Sequence, residues 1–154
     1  MKSIVVTGVS TGIGRATAGA LIERGYQVFG SVRKEEDAER LSTEMGDSFT
    51  PLLFDVTDPE AIDRAAAQVK AIVGDQGLFG LVNNAGVAMA GPVMQVTVEE
   101  YRQQFEVNFF GQIAVIQAFL PLLGARSNCP HPPGRIVNMS SVSGRIAMPF
   151  LSPY

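Results

Sequence analysis

Five short runs rich in β-branched and aromatic residues alternate along this chain with four longer stretches of helical periodicity. The runs are Ser3–Thr7, Tyr26–Val32, Phe49–Phe54, Leu78–Val82 and Arg135–Met139. The helical stretches are Gly12–Arg24, Glu35–Met45, Thr57–Val73 and Val98–Leu123. Strands separated by helices pair in parallel, because each helix returns the chain to the start of the sheet. Right-handed crossovers then place helices on both faces. The expectation is an α/β fold, a Rossmann-like doubly wound parallel sheet of five strands, in a single domain over residues 1–154. Gly25 and Gly46 read as helix stops, Pro59 as a first-turn residue behind a cap at Thr57 or Asp58, and Thr97 as the cap of the last helix. Gly124–Gly134, with Pro130, Pro132 and Pro133, reads as a surface loop, since a strand pattern resumes directly after it.

Composition narrows the function classes. With 46% hydrophobic and 18% charged residues the chain is ordinarily globular. A net charge of −3 argues against a nucleic-acid or anionic-membrane partner. Cys129 is the only cysteine, so no internal disulfide forms, and a reducing, cytoplasmic compartment is the simplest setting. The apolar start Ile4–Val6 is shorter than the roughly 7–15 residues of a signal h-region. Ile113–Leu123, broken by Gln117 and Pro121, falls short of the ~20 residues of a membrane span. Cys129 and His131 are two ligands where a structural zinc needs four, so no metal site is expected and His131 reads as a solvated loop residue.

The first strand runs into Thr7-Gly8-Val9-Ser10-Thr11-Gly12-Ile13-Gly14 and then a helix. Glycines permit a tight turn and a close approach of backbone to a pyrophosphate, whose charge suits a helix N-terminus. The spacing, Gly-x3-Gly-x-Gly, departs from the commoner G-x-G-x-x-G, and a merely tight turn is the plainer alternative. A ribose-binding carboxylate is expected roughly 20 residues further on. Val32, Arg33 and Lys34 stand there instead. A base pairs with a 2′-phosphate, so NADP(H) is favoured over NAD(H), mainly through Arg33. The alternative is that Arg33 to Asp37 is simply a solvated helix start.

Taken together, the glycine turn, Asp55-Val56 after the third strand, Asn83-Asn84-Ala85-Gly86 after the fourth, and Arg135-Ile-Val-Asn-Met-Ser-Ser141 resemble the short-chain dehydrogenase/reductases, in order and over the whole chain. The resemblance implies a cofactor site made by Thr7, Gly8, Ser10, Thr11, Gly12, Ile13, Gly14, Arg33, Asp55, Val56, Asn84, Ala85 and Gly86. It implies hydride transfer between the nicotinamide and a carbonyl or secondary alcohol. A tyrosine serves as acid/base, a serine binds the substrate oxygen, and an asparagine in the long helix supports a proton-relaying water. Those roles fall on Tyr154, Ser141 and Asn108. Ser141 is preferred to its neighbour Ser140 because Tyr154 stands thirteen residues after it. A bland buried hydrogen bond is the alternative for Asn108.

The family's lysine would follow four positions after Tyr154, and two further strands and a substrate segment would follow that. The chain therefore reads as the amino-terminal portion of such an enzyme, inactive by itself. The competing reading is a non-catalytic dinucleotide-binding or redox-sensing fragment. Met89, Met94 and Met148, with Phe150 and Leu151, either line an apolar substrate site or are ordinary packing. The long helix is apolar on more than one face, which fits a homo-dimer or homo-tetramer. The expected substrate is a small apolar carbonyl or alcohol.

Overall fold

The computed structural model describes residues 1–154. Its strands are β1 (Ser3–Val6), β2 (Gln27–Val32), β3 (Phe49–Leu53), β4 (Gly80–Asn83) and β5 (Arg135–Asn138). They form one sheet in the order β3-β2-β1-β4-β5, every pair parallel. The helices are α1 (Gly12–Glu23), α2 (Glu35–Met45), α3 (Pro59–Val73), α4 (Val98–Phe105) and α5 (Gly111–Phe119). The order reverses between β1 and β4, so a crevice opens beyond their carboxyl ends, where ligands bind in open α/β sheets. This is the expected doubly wound arrangement.

Alternate residues of each strand feed opposite faces. Val5, Phe29, Leu52 and Leu81 pack with Ile62, Ala65, Val69, Val115 and Phe119 from α3 and α5. Ile4, Val6, Val28 and Val32 pack on the other side with Ala18 and Leu41 from α1 and α2. Covered on both faces, the inner strands are near-continuous apolar runs. β5 differs, being exposed at every residue.

β1, β3 and β5 each end one residue earlier than the sequence predicts, yet the ladder continues past them. Thr7 donates to the Val82 carbonyl at 2.9 Å, Phe54 to Val32 at 3.0 Å and Met139 to Asn83 at 2.8 Å. β4 lies later than predicted, because Leu78 donates to Leu122 outside the sheet. Asp58, rather than Thr57, caps α3 by accepting from Ala61 N at 3.0 Å.

The predicted helix Val98–Leu123 is continuous in span but not in geometry. A π turn, Glu106–Phe110, separates α4 from α5, and Leu120–Leu123, containing Pro121, tightens into a 3-10 turn. Thr97 starts α4 with a capping box: its hydroxyl accepts from Glu100 N while the Glu100 carboxylate accepts from Thr97 N. The expectation that no apolar run here matches a membrane span needs correcting. The 26-residue run has an 18-residue window of mean hydropathy 1.4, long and apolar enough to cross a bilayer. Its inner face nonetheless packs into the domain through buried Gly111, Val115 and Phe119. His131 is also not simply solvated: it lies over Gly77, with Nε2 buried and unpaired.

Candidate active site

The glycine turn is closed by side chains from the ends of β1, β2 and β4. The Thr7 hydroxyl accepts from both Asn84 N and Ala85 N at 2.9 Å. Asn84 Nδ2 donates to the carbonyls of Thr7 and Gly8 at 2.9 and 3.0 Å. Ser31 Oγ accepts from Gly8 N at 2.9 Å. Gly8 and Gly12 have φ of +70° and +59°, which side chains disfavour. Gly14 is demanded by space instead: a Cβ there would lie 2.2 Å from the Gly8 carbonyl oxygen and 2.4 Å from Asn84 Nδ2. Thr11 begins α1 without a side-chain cap. The first amides of a 12-residue helix are thus left for an outside acceptor, and Ile13 is exposed beside them. These features fit a dinucleotide pyrophosphate.

Two cavities flank this turn. A 180 Å³ cavity is lined by Gly8, Ser10, Thr11, Ser31, Arg33, Asp55 and Val56 among others. Arg33 Nη1 lies 3.7 Å from the Asp55 carboxylate. Burial pushes the Asp55 carboxyl up, but Thr57 N–H and hydroxyl, bonded at 2.9 and 2.8 Å, and the Arg33 charge together hold it below the usual range. The pocket therefore carries a fixed negative charge facing an arginine. Arg40 was not evident as a site residue from the sequence. Its guanidinium donates to the Ser10 carbonyl at 2.9 Å and to Asp37 at 2.6 Å, tying α2 to the glycine turn.

The larger cavity, 590 Å³, collects the other expected residues. Ile13, Asn84, Ala85, Gly86, Asn108, Ser140, Ser141 and Tyr154 all line it. Asn108 sits within the π turn, where Oδ1 accepts from Val87 N at 2.8 Å and Nδ2 donates to the Val87 carbonyl at 2.7 Å. One amide hydrogen and one lone pair remain to face the cavity. Ser141 Oγ accepts from Ser143 N at 3.2 Å, which turns the chain after β5. Both serines reach the cavity, so position alone does not separate them. Met89, Met94, Met148, Phe150 and Leu151 are not among the lining residues; Met139, which the sequence did not single out, is.

Gln104 is a further lining residue that sequence reasoning missed. A polar residue on the polar part of α4 carries no signal by itself, since its partners lie far off in sequence.

Residues 2–154 match the short chain dehydrogenase family. The NADPH-dependent 3-dehydrocapnine reductase of Ornithobacterium rhinotracheale is 45% identical over 154 residues, 100% of this chain and 54% of that protein. Retinol dehydrogenase 5 of Mus musculus is 41% identical over 145 residues, 94% of this chain and 44% of that protein. The crystal structure of a short-chain dehydrogenase from Streptomyces avermitilis superposes with a TM-score of 0.87 at 37% identity, over 99% of this chain and 54% of that one. The chain spans about half the length of the curated relatives it matches.

Proposed function

This chain belongs to the short-chain dehydrogenase family, and from that premise we propose that its protein is an NADP(H)-dependent oxidoreductase of carbonyls and secondary alcohols. One observation carries the reading. Ile13 of the glycine turn, which Thr7 and Asn84 weld to the end of β4, lines the same cavity as Ser141 and Tyr154.

Pyrophosphate would be held by the backbone of Ser10 to Gly14, and the adenosine end by Asp55 and Val56. Arg33 would pair with a 2′-phosphate in place of Asp55, a charge-assisted contact NAD(H) lacks. The name of the reductase from Ornithobacterium supports NADPH. The nicotinamide, when bound, supplies or accepts the hydride. The Ser141 hydroxyl donates a hydrogen bond to the substrate oxygen and fixes its direction. In reduction the Tyr154 phenol gives its proton to that oxygen, and in oxidation the phenolate takes it back. Asn108 uses its remaining amide hydrogen and lone pair to hold a water that relays the proton between Tyr154 and solvent, inward in reduction and outward in oxidation. Ile13, Phe105, Phe109 and Met139 give the cavity apolar walls, which supports a small apolar substrate. Exposed Phe109, Phe110 and Ile113 support a homo-oligomer through the long helix.

The test follows NADPH and NADH absorbance in the whole protein against a panel of apolar ketones and aldehydes. The expected result is faster oxidation of NADPH, lost in Tyr154→Phe and Ser141→Ala. Tight NADPH binding without turnover on any of them would favour the non-catalytic dinucleotide-binding reading.

A further inference from the structure

We propose that Gln104 is a positioning residue for the reaction: its side chain ties the loop after β4 to the segment bearing Tyr154, and so sets where the phenol stands. The inference deepens the proposed function and relies on it for the role of Tyr154.

Gln104 is 2% exposed, so its amide must find partners inside the protein. Both ends do, on two different segments. Oε1 accepts from Met89 N at 2.6 Å, and Nε2 donates to the Pro153 carbonyl. Pro153 is itself buried and immediately precedes Tyr154. Asn108, four residues after Gln104, uses its amide on Val87. Residues spaced by four share one helix face. That face of the long helix therefore grips the Val87–Met89 loop twice, but only Gln104 continues across to the Tyr154 segment.

The remaining ties of that segment are peripheral. Tyr101 Oη and Ser152 Oγ lie 2.6 Å apart on the exposed side, and Gly91 N donates to the Phe150 carbonyl at 2.7 Å. Tyr154 N donates only to Leu151, inside the same turn. Of the side-chain ties to this segment within residues 1–154, Gln104 is the buried one. Glutamine is the residue this bridge needs: one end accepts and the other donates. Leucine fills the space and leaves a half-buried N–H and a buried carbonyl unpaired. A carboxylate accepts from Met89 but has no proton for Pro153.

The experiment compares Gln104→Leu, Gln104→Glu and Tyr101→Phe in the whole protein. Displacement of a catalytic group by about 1 Å costs on the order of 100-fold. Gln104→Leu is expected to lower kcat about 10- to 100-fold while the KM for NADPH stays within about twofold. Protonated glutamic acid can accept from Met89 and donate to Pro153, so Gln104→Glu should gain a new ionisation that lowers kcat as pH rises. Neither the wild type nor Gln104→Leu should show it, which separates positioning from general damage. Tyr101→Phe should lose no more than about twofold, as expected of an exposed contact. Hydrogen–deuterium exchange at residues 87–91 and 151–154 should quicken in Gln104→Leu.

Unchanged kcat in Gln104→Leu, a Gln104→Glu profile parallel to wild type, or an equal loss in Tyr101→Phe would each overturn the inference. If Gln104→Leu does not fold, the Gln104→Glu profile decides alone. A wild type silent with both NADPH and NADH overturns the proposed function instead. The exchange rates then decide the tie by themselves, and unchanged rates overturn it.

Discussion

At the glycine-turn wall of the cleft, Thr7 is 1% exposed and its hydroxyl gathers two backbone amides from the end of the neighbouring strand. At the facing wall Tyr154 is 42% exposed, and within residues 1–154 its segment is tied by Gln104, Tyr101 and one backbone bond from Gly91. The first wall is an extension of the sheet: β1 and β4 are paired in register, and their ends lock each other. The second follows β5 and is positioned from the side by a helix. Within residues 1–154 the cofactor wall is thus continuous with the core, whereas the reactive wall is tied to the rest by a few long-range contacts. Substitutions should therefore cost stability at the first wall and turnover at the second.

The largest contrast should come from one substitution made at both walls. Gly14→Ala drives a methyl into the Gly8 carbonyl and Asn84 Nδ2, neither of which can retreat without breaking the turn. It should destabilise by about 3 kcal/mol, the upper end for overpacking, and abolish NADPH binding. Gly144→Ala meets only Ser140 Oγ at 3.8 Å and should be neutral within about 0.5 kcal/mol. Denaturant midpoints for the two variants check this, and similar losses would erase the distinction.

Polar deletions sharpen the same comparison. Asn84→Ala leaves the carbonyls of Thr7 and Gly8 without their donor, at a cost of roughly 2 kcal/mol. Ser141→Ala removes only the cap of a three-residue turn and should cost under about 1 kcal/mol. Turnover should nevertheless vanish in Ser141→Ala. Chemical denaturation beside an NADPH assay tests both halves of the claim.

Smaller again is the effect expected at the adenosine cavity. Arg33 is solvent-exposed and already shares its charge with Asp55 at 3.7 Å. Arg33→Ala should weaken NADPH binding roughly tenfold, about 1.4 kcal/mol, and leave NADH within about twofold. Equal losses for both cofactors, measured by fluorescence titration, would remove the 2′-phosphate from the account.

What could be seen in advance divides along the same line. The five strands were legible because a doubly covered sheet demands apolar runs, and the glycine turn because positive φ and close approach leave few residue choices. Thr7, Gly8 and Asn84 fall on motifs whose partners are set by strand order alone. The π turn at Asn108 was not legible, since helical periodicity reports which face is apolar and not a local change of winding. Gln104 meets Pro153 across 49 residues, and Arg40 meets Ser10 across 30, with nothing local to mark either. Arg33 could be placed at the strand end, but not its pairing with Asp55. The place of the methionines was not legible for a related reason: Met94, 95% exposed, lies on a loop whose course no periodicity describes.

The smallest effect distinguishes two carboxylates that use threonine in the same way, one near each wall. Glu100 is drawn below its ordinary value of 4.5 by the Thr97 N–H and then the Thr97 hydroxyl, against slight desolvation. In Asp55 burial acts first and upward, yet the Thr57 bonds and the Arg33 charge bring it below 3.8. A carboxyl depressed by folding contributes stability that is present above its unfolded pKa and lost as pH falls through its folded pKa. Both groups thus contribute to acid unfolding below about pH 4. Only Asp55 owes part of its shift to a cation across a gap, and salt screens that part far more than a direct hydrogen bond. Carboxyl titrations by NMR at low and high salt should show Asp55 rising toward its ordinary value while Glu100 stays in place. Arg33→Ala should abolish the salt effect at Asp55. If Asp55 and Glu100 respond alike, the Arg33–Asp55 pair is open in solution, and the arginine stands free for a phosphate before any cofactor arrives.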